Sequence, residues 1–430
     1  MAACLDRIAS LEPLLRAWSF LDPTLARAEA RALAGVDWNA WRPAPLLAGV
    51  PLGVKDVFNT KDMPTAMGSD LWAAFTPGND ARVVARARLA GAVVAGKTAT
   101  AEFAVHAPSA TVNPRDARRI AGTSSGGSAV AVACGMVPVA LGTQTAGSIV
   151  RPASYVGVVG FKPSFGLVPR TGVLKTADTL DTIGWFARSA ADARLLFDTF
   201  RVKGDDYPHV EAGLAAARAR RGQKLRLALA RAPGWDDAEG YARGALEDFV
   251  DRIAGRPDMT VAPLDLRPPF ADAHATHRTI YHRQLAYYFE PELATGRVSA
   301  AFRAVAEDGA RTTLDEYLAA TRRQRDFEHA LAEALAPFDA ALTLAVAGEA
   351  PAVGAPEPID SCLVWTLAGA PVISLPLFHG PSGLPFAAQL VAPRYGDETL
   401  LEIAAALLPE SLPVLEPATL PCPTRSRASA

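Results

Sequence analysis

Apolar and polar residues follow two rhythms along the chain, and together these predict a protein that mixes strands with helices. The stretch LLAGVPLGVKDVFNT is apolar and rich in β-branched residues, which indicates a buried strand or hairpin carrying Lys55. The stretch DARVVARARLAGAVVAGKTAT has helical spacing, then Gly91, then a short apolar run that ends at Lys97. A helix followed by a strand in this way is typical of a βα unit, so this part of the chain predicts an α/β fold.

Helical spacing dominates the middle of the chain, in SAADARLLFDTF, in DDAEGYARGALEDFVDRIAG and in a long stretch from about Pro268 to Ala336, with the strand-like KLRLALA between them. Strand patterns return in APVISLPLF and GLPFAAQLVA, before the helical DETLLEIAAALL. We therefore predict a single domain over 1–430, with a core at 45–200 and 336–410 and a helical excursion at about 200–335. Near the N-terminus, LEPLLRAWSFLDPTLARAEARALA is predicted to form one helix.

Composition narrows the class of protein without naming an activity. Of the 430 residues, half are hydrophobic and a fifth are charged, so the chain can bury a sizeable core. The formal charge of −2 gives no electrostatic reason to expect nucleic acid as a partner. The longest weakly polar run, SAVAVACGMVPVALGTQTAG, is broken by Gly and Pro and is too polar to span a membrane.

The four cysteines are far apart and form no CxxC pair, which argues against a zinc site or a disulfide framework and fits a reducing compartment. They are Cys4, Cys134, Cys362 and Cys422. The first twenty residues also lack a basic segment followed by an apolar one, so no secretory leader is expected. We expect a cytoplasmic protein.

A run of small residues at 121–135, AGTSSGGSAVAVACG, allows three interpretations. A phosphate-binding loop requires a lysine after its last glycine, and none follows Gly127. The letters GTSSG match the nucleophile turn of α/β-hydrolase esterases, with Ser124 as nucleophile, but no apolar strand precedes them. The third interpretation is a structural turn in which Ser125 or Ser128 caps the following helix.

A second glycine-rich run, LGTQTAGSIVRPASYVGVVGFKPS at 141–164, changes which interpretation of the first run is favoured. With the first run it resembles the signature of the amidase signature family over about fifty residues. Flanking stretches match as well, namely GVPLGVKD, NPRD, LDTIGWFARSAADARLL, GAPVISLPL and GLPFAAQL. The resemblance covers most of the chain outside the excursion. It implies the family's fold, a mixed central β-sheet sandwiched between helices, and an enzyme without metal or organic cofactor.

The resemblance also implies a Ser–cisSer–Lys triad, with Ser148 as nucleophile, Ser124 as proton relay and Lys55 as base. A serine hydroxyl is inert at neutral pH and needs an adjacent group that accepts its proton. A lysine does this only when neutral, which requires burial or nearby positive charge to lower its pKa. The alternative for Lys55 is an ordinary lysine paired with its neighbour Asp56.

Two further segments take roles from the resemblance. The turn around the relay serine would be supported by Thr123, Ser125 and Gly126. The oxyanion and substrate-binding segment would comprise Gln144, Thr145, Ala146 and Gly147. The small side chains of this second segment let successive backbone N–H groups, including that of Ser148, point at one carbonyl oxygen.

This chain departs from the family's usual pattern at three positions. Thr123 stands where a glycine is usual, Gln144 where an aspartate is usual and Val150 where an arginine is usual. The last two replacements remove an acid and a base together, which suggests the loss of one ion pair. Arg151 need not substitute, because a shift of one position reverses the side chain's direction in an extended segment. We expect an active enzyme with altered local support.

Four histidines are further candidates for the site. His274, His277 and His282 lie at helical spacings that do not share one face, so they are predicted to be solvated or core histidines rather than metal ligands. His106 precedes the signature in a loop and is a candidate for lining the substrate cleft.

The sequence therefore favours an amidase that cleaves a carboxamide or related C–N bond through an acyl-enzyme. The alternatives on the same fold are a carbamate, urethane or urea-derivative hydrolase and a glutaminase-type subunit of an amidotransferase. An α/β-hydrolase-like esterase and a non-catalytic binding protein are the rivals from other classes. The expected partner is a small-molecule amide or carbamate, with neither nucleic acid nor a membrane involved, and dimers in the family leave a homodimer open.

Overall fold

The computed structural model describes residues 1–37, 45–105, 109–220 and 222–417. Within these ranges eleven strands form one mixed sheet in the order β1-β3-β2-β4-β6-β5-β10-β11-β9-β7-β8. The strands are β1 (Trp18–Phe20), β2 (Pro51–Lys55), β3 (Val93–Thr98), β4 (Val139–Gln144), β5 (Val159–Lys162), β6 (Thr182–Ala187), β7 (Leu225–Arg231), β8 (Met259–Asp265), β9 (Ala340–Leu344), β10 (Val372–His379) and β11 (Pro385–Val391).

Helices surround this sheet, and none of those in the described ranges combines the length and apolar character needed to cross a bilayer. They are α1 (Ala2–Leu15), α2 (Pro23–Ala34), α3 (Arg82–Leu89), α4 (Gly126–Ala133), α5 (Val150–Val156), α6 (Ala190–Phe200), α7 (Pro208–Arg220), α8 (Gly240–Ala254), α9 (Ala273–Tyr288), α10 (Glu290–Ala294), α11 (Ala300–Ala310), α12 (Leu314–Leu335), α13 (Leu363–Leu367) and α14 (Asp397–Leu407).

Apolar side chains pack on both faces of the sheet, as strand β4 illustrates. Its Val139 and Leu141 join a core that also holds Phe197 of α6. The residue between them, Ala140, points to the opposite face and joins a second core with Val130 of α4. This alternation is the expected consequence of strand geometry and confirms the predicted sheet between helices.

The parallel arrangement of β2, β3 and β4 brings their carboxyl ends to one edge of the sheet. Strand β2 pairs in parallel with both β3 and β4, and α3 connects β2 to β3. The predicted βα unit is therefore present, and β2 is a central strand rather than half of a hairpin. Lys55 and Gln144, the last residues of β2 and β4, consequently lie at the same edge.

The N-terminal prediction of one long helix is wrong. The chain forms α1, then β1, then α2, because Arg16 adopts a left-handed conformation that ends α1. The side chain of Asp22 accepts hydrogen bonds from the backbone of Thr24 and Leu25 and so starts α2, with Pro23 at its first position. Between the helices, β1 pairs with the edge of β3.

The excursion contributes strands as well as helices, so its description as helical is incomplete. Strand β7 was expected, and it pairs in parallel with β9 of the core. Strand β8 was not expected, and it pairs in parallel with β7 at the end of the sheet. Its pattern is weak because most of its residues are partly or fully exposed, and its Pro263 is tolerated because β8 is an edge strand.

Helices α9 and α11 of the excursion approach each other closely at Gly309. A Cβ atom at this position would lie 1.8 Å from the backbone oxygen of His282 on α9. A glycine inside α8, Gly244, has no heavy atom within 4 Å of the corresponding point. Both glycines lie inside helices, but only Gly244 leaves space for a methyl group.

Gly309→Ala should destabilise the protein by about 1–3 kcal/mol, because the helices must separate to admit the methyl group. Gly244→Ala should instead stabilise it by about 0.4–1 kcal/mol, since alanine restricts the unfolded chain more than glycine does. Urea unfolding of both variants measures the difference. Effects of the same sign would contradict the close approach of α9 and α11.

Candidate active site

Lys55 ends β2 with its side chain wholly buried and directed at hydroxyl groups. Its Nζ lies 2.7 Å from Ser124 Oγ and 2.8 Å from Thr143 Oγ1. Thr143 belongs to β4, the neighbouring strand, which explains how the sheet brings the two groups together. Burial lowers the pKa of Lys55 from 10.5 to about 7, although Asp181 opposes this shift by its negative charge.

Asp56 does not pair with Lys55, so the alternative interpretation of Lys55 is wrong. Asp56 lies 3.1 Å from the ammonium of Lys97 on β3, and both side chains are buried. Neighbouring residues of an extended segment point in opposite directions, which separates Asp56 from Lys55. Lys97 also donates to the carbonyl of Pro64 and to the hydroxyl of Thr65.

The turn 122–125 carries Ser124 and leads into α4, and its Thr123–Ser124 peptide bond is cis. We call it the relay turn, after the role predicted for Ser124. The prediction that Ser125 or Ser128 caps this helix is wrong. Ser125 Oγ donates to the backbone oxygen of Thr143, and Ser128 Oγ donates to that of Leu141. Both hydroxyls therefore attach the start of α4, which begins at Gly126, to strand β4.

The loop 145–148 connects β4 to α5, and the carbonyl groups of its first three residues are all engaged. Thr145 O accepts from His277 Nε2 at 2.9 Å, Ala146 O accepts from Thr366 Oγ1 at 2.7 Å, and Gly147 O accepts from the backbone N–H of Arg151 at 2.9 Å.

The backbone N–H groups of the same loop remain available. None of the four, from Thr145 to Ser148, donates to an acceptor within the described ranges. A trans peptide unit directs its C=O and N–H in opposite directions, so engaged carbonyls on one side leave N–H groups on the other. Such a row of free donors can stabilise an oxygen anion.

Ser148 stands where this loop enters α5. It is 8% exposed, and its hydroxyl forms no hydrogen bond with any residue of the described part of the chain. The preceding Gly147 has no room for a side chain, because a Cβ atom there would lie 2.5 Å from the Asp360 carboxylate. A larger residue before Ser148 would therefore require the Asp360 side chain or the loop to move.

Gln144 both accepts and donates hydrogen bonds at its position without carrying a charge. Its Oε1 accepts from the backbone N–H groups of Ile149 and Val150, and its Nε2 donates to Thr366 Oγ1. The side chain thus closes the loop 145–148 from behind. These three hydrogen bonds are the local support that the side chain of Gln144 gives to the loop and to the backbone of Val150.

Arg151 does form ion pairs, and the inference that it need not substitute rested on the wrong local structure. The segment from Val150 is helical, so Arg151 points back toward the relay turn. Its guanidinium lies 3.0 Å from Glu357 and 3.0 Å from Asp360, and it donates to the backbone oxygen of Thr123 at 3.1 Å. Arg151 therefore joins the relay turn to the distant segment containing both acids.

Asp181 fixes the other side of the loop. Its carboxylate accepts from the hydroxyls of Thr145 and Thr176 at 2.7 and 2.6 Å, and from the backbone N–H groups of Thr176 and Ala177. These bonds form one wall of a cavity of about 190 Å³. Its lining includes Val57, Thr143, Thr145, Leu174, Asp181 and Ile183.

A second cavity, of about 510 Å³, lies beside the relay turn and is lined by Gly122, Thr123, Arg151, Glu357 and Asp360 among others. Thr145 of the loop 145–148 lines the first cavity, and Gly147 lies next to Asp360, which lines the second. No group of three or more His, Cys, Asp or Glu side chains suited to a metal ion occurs in the described ranges.

The structure brings most of the predicted site residues together. Lys55 and Ser124 share a hydrogen bond, and Thr123, Ser125 and Gly126 surround Ser124. The segment 144–148 follows strand β4 as one continuous loop beside them. His106 lies outside the described residues.

Sequence reasoning missed the residues that support this loop from elsewhere in the fold. His274 and His277 share one face of α9 and bond to Asp360 O and Thr145 O, whereas His282 bonds to Asp308. The spacing of three between the first two histidines is a signal that could have been used. Nothing in the local sequence marks Asp360 or Thr366.

Comparison with known proteins places this geometry in context. A family model described as Amidase matches residues 1–401. A glutamyl-tRNA(Gln) amidotransferase subunit from Roseiflexus castenholzii is 40% identical over 261 residues, covering 57% of this chain and 52% of that protein. This chain thus matches about half the length of that curated relative.

Two further similarities extend along nearly the whole chain. A glutamyl-tRNA(Gln) amidotransferase subunit from Aromatoleum aromaticum is 34% identical over 93% of this chain and 91% of its own length. The structure of a peptide amidase from Stenotrophomonas maltophilia superposes with a TM-score of 0.78 at 29% identity, covering 94% of this chain and 92% of that one.

Arg151→Met should destabilise the protein by about 3–5 kcal/mol, because it leaves the carboxylates of Glu357 and Asp360 without their buried cation. Arg118→Met is the matched control, since Arg118 pairs with Asp116 at the surface and its side chain is 88% exposed. The control should show no measurable change, as exposed ion pairs contribute little. Equal unfolding free energies for the two variants in urea would refute the role given to Arg151.

Proposed function

The chain belongs to the Amidase family of enzymes that act on C–N bonds, and we propose that it hydrolyses a carboxamide or related C–N bond through an acyl-enzyme at Ser148. The observation that carries this proposal is the 2.7 Å contact between the buried Lys55 Nζ and Ser124 Oγ. A lysine with its pKa lowered to about 7 is half neutral at neutral pH, and the neutral amine can accept a proton.

In the proposed acylation, Ser148 Oγ attacks the substrate carbonyl carbon while its proton passes to Ser124 Oγ. Ser124 releases its own proton to Lys55 in the same step, so the relay serine remains neutral. The carbonyl oxygen becomes an oxyanion that the N–H groups of the loop 145–148 stabilise. As the C–N bond breaks, Lys55 returns the proton through Ser124 to the leaving nitrogen.

Deacylation repeats the relay with water as nucleophile. Lys55, again neutral, accepts a proton from water through Ser124, and water oxygen attacks the acyl carbon. As the second tetrahedral species collapses to the carboxylic acid, Lys55 returns the proton through Ser124 to the departing Ser148 Oγ, which regenerates its hydroxyl. Ser148 Oγ has no hydrogen-bond partner among the described residues, and catalytic hydrogen bonds of a free enzyme often form only with substrate bound.

The first cavity favours an uncharged group beside the reacting carbon. Asp181 is occupied by four hydrogen bonds, and the Arg170 guanidinium donates to the backbone oxygens of Ala177, Asp178 and Asp181. Neither charge is therefore available for a substrate's carboxylate or ammonium group. The third charged residue of the lining, Lys175, forms an ion pair with Asp178, and the remaining residues are apolar or carry threonine hydroxyls. A neutral amide or carbamate meets these conditions.

A second candidate function is the glutaminase-type subunit of an amidotransferase. The observation that favours it is the similarity to glutamyl-tRNA(Gln) amidotransferase subunits from two organisms. This function requires glutamine as the amide and a partner chain that uses the ammonia. Glutamine carries both an ammonium and a carboxylate, which the engaged Asp181 and Arg170 do not favour.

Ser148→Ala should lower turnover of an aryl amide by about 10³-fold or more, because no other group can form the acyl-enzyme. Wild type is assayed for amine or ammonia release from a matched aryl amide, aryl carbamate, primary amide and glutamine. The preferred compound identifies the substrate class. Co-purification of a second protein chain together with preference for glutamine would support the amidotransferase candidate.

Ser128→Ala is the control for that variant, since Ser128 is also buried but its hydroxyl bonds to Leu141 O and Thr98 Oγ1 rather than to Lys55 or Ser124. It should retain most of the wild-type turnover. An esterase with Ser124 as nucleophile would behave differently, because Ser124→Ala would then be inactive while Ser148→Ala stayed nearly normal. No turnover of any compound by folded wild-type protein would favour a binding protein instead.

The kcat/KM of the wild type should rise with pH and level off above about pH 7, because only neutral Lys55 accepts the proton. Below that value it should fall about tenfold per pH unit, as the lysine becomes protonated. Lys55→Met should remove nearly all activity. A profile that stays flat from about pH 5 to pH 9 would contradict the assignment of Lys55.

Lys162 provides a matched control for this pH dependence. It is equally buried, its pKa is likewise lowered to about 7 by burial, and it donates to the backbone oxygens of Pro163 and Ala370. Lys162→Met should leave the inflection near pH 7 in place. An inflection that disappeared in this variant would show that the profile does not report Lys55.

A further inference from the structure

Helix α9 presents a row of polar side chains to the loops that form the candidate active site. The row follows a spacing of three and four residues and comprises His274, His277, Tyr281, Gln284 and Tyr288. Gln284 accepts from the backbone N–H of Asp178 and donates to its carboxylate, and Tyr288 donates to the same carboxylate. These contacts fix the helix against the wall of the first cavity.

His277 is the residue of this row that contacts the loop 145–148. Its side chain is buried, with 4% of the residue exposed, and its Nε2 lies 2.9 Å from the backbone oxygen of Thr145. A carbonyl oxygen can only accept, so Nε2 must carry the hydrogen. The ring of Tyr281 packs against the imidazole, with 5.5 Å between the ring centroids.

This hydrogen bond determines the direction of one oxyanion donor. The carbonyl of Thr145 and the N–H of Ala146 belong to the same trans peptide unit and point in opposite directions. Holding the carbonyl toward α9 therefore aims the N–H of Ala146 away from α9. The side chain of Thr145 is held independently by Asp181, so the unit is restrained at two points.

We propose that His277 is a positioning residue that orients the Ala146 N–H for the oxyanion formed during hydrolysis. The inference rests on the proposed function, because it requires an oxyanion at this loop. The donors to the next two carbonyls, Thr366 Oγ1 and the N–H of Arg151, come from the core, whereas His277 comes from the excursion. The excursion thereby takes part in transition-state stabilisation without touching the substrate.

Two polar substitutions that differ by one methylene group test this role. In His277→Gln the amide nitrogen occupies the place of Nε2 and can still donate to Thr145 O, while in His277→Asn it falls short. We expect His277→Asn to lower kcat about 10- to 100-fold, because a misplaced oxyanion donor has an effect of this size. KM should change less than about twofold, since the interaction is realised in the transition state.

His277→Gln should recover most of the lost kcat, which a merely structural role would not require. His282→Asn is the control on the same helix, because His282 bonds to Asp308 rather than to the loop, and it should match wild type. The rate at which an aryl fluorophosphonate labels Ser148 provides a second readout and should follow the same order. Thermal unfolding of each variant verifies that it is folded.

Three results would overturn the inference, and they are distinguishable from one another. A folded His277→Asn variant with wild-type kcat and labelling rate would refute the role of His277 alone and leave the proposed function intact. Equal losses in the Gln and Asn variants would show that the imidazole acts by packing. Wild-type protein that neither hydrolyses an amide or carbamate nor becomes labelled at Ser148 would refute both proposals.

Discussion

The burial of Lys55 is the constraint on which the rest of the site depends. A buried ammonium is unfavourable unless a charge of opposite sign pairs with it, and the nearest acid in the sequence, Asp56, is committed to Lys97. Lys55 is left with the hydroxyls of Ser124 and Thr143 as partners. Its pKa consequently falls to about 7, and the sheet delivers an amine that exchanges protons near neutral pH. The pairing of Asp56 with Lys97 leaves this carboxylate committed to a different cation.

The loop 145–148 complements this lysine by using backbone rather than side-chain chemistry. Its first three carbonyls accept from His277, Thr366 and the N–H of Arg151, which belong to α9, α13 and α5. Donors from three separate elements hold these carbonyls, and each of these bonds also fixes the direction of the N–H group in the same peptide unit, so the N–H groups are preorganised. Such preorganisation costs little at the moment of reaction because the fold has already fixed the peptide planes.

The sequence predicted the parts of this site that depend on local pattern. Lys55 ends an apolar strand, Ser124 precedes a helix of small residues, and Ser148 lies in a glycine-rich loop, and each of these features is a short continuous stretch of the chain. It did not predict partners that are distant along the chain, such as Glu357 and Asp360, because no local pattern records which surfaces meet. Arg151 was misjudged for a related reason, since its direction depends on whether the segment after Ser148 is extended or helical.

The neutral side chains of Gln144 and Val150 and the ion pairs of Arg151 together set the charges around the loop 145–148. Gln144 closes the loop 145–148 with a neutral amide, so this position carries no negative charge. The cation at Arg151 meets two acids, Glu357 and Asp360, beside the second cavity. The loss of one ion pair at positions 144 and 150 stays a prediction from the sequence, and the charge of Arg151 lies beside the turn that carries Ser124. There it holds the backbone of Thr123, the residue that precedes Ser124.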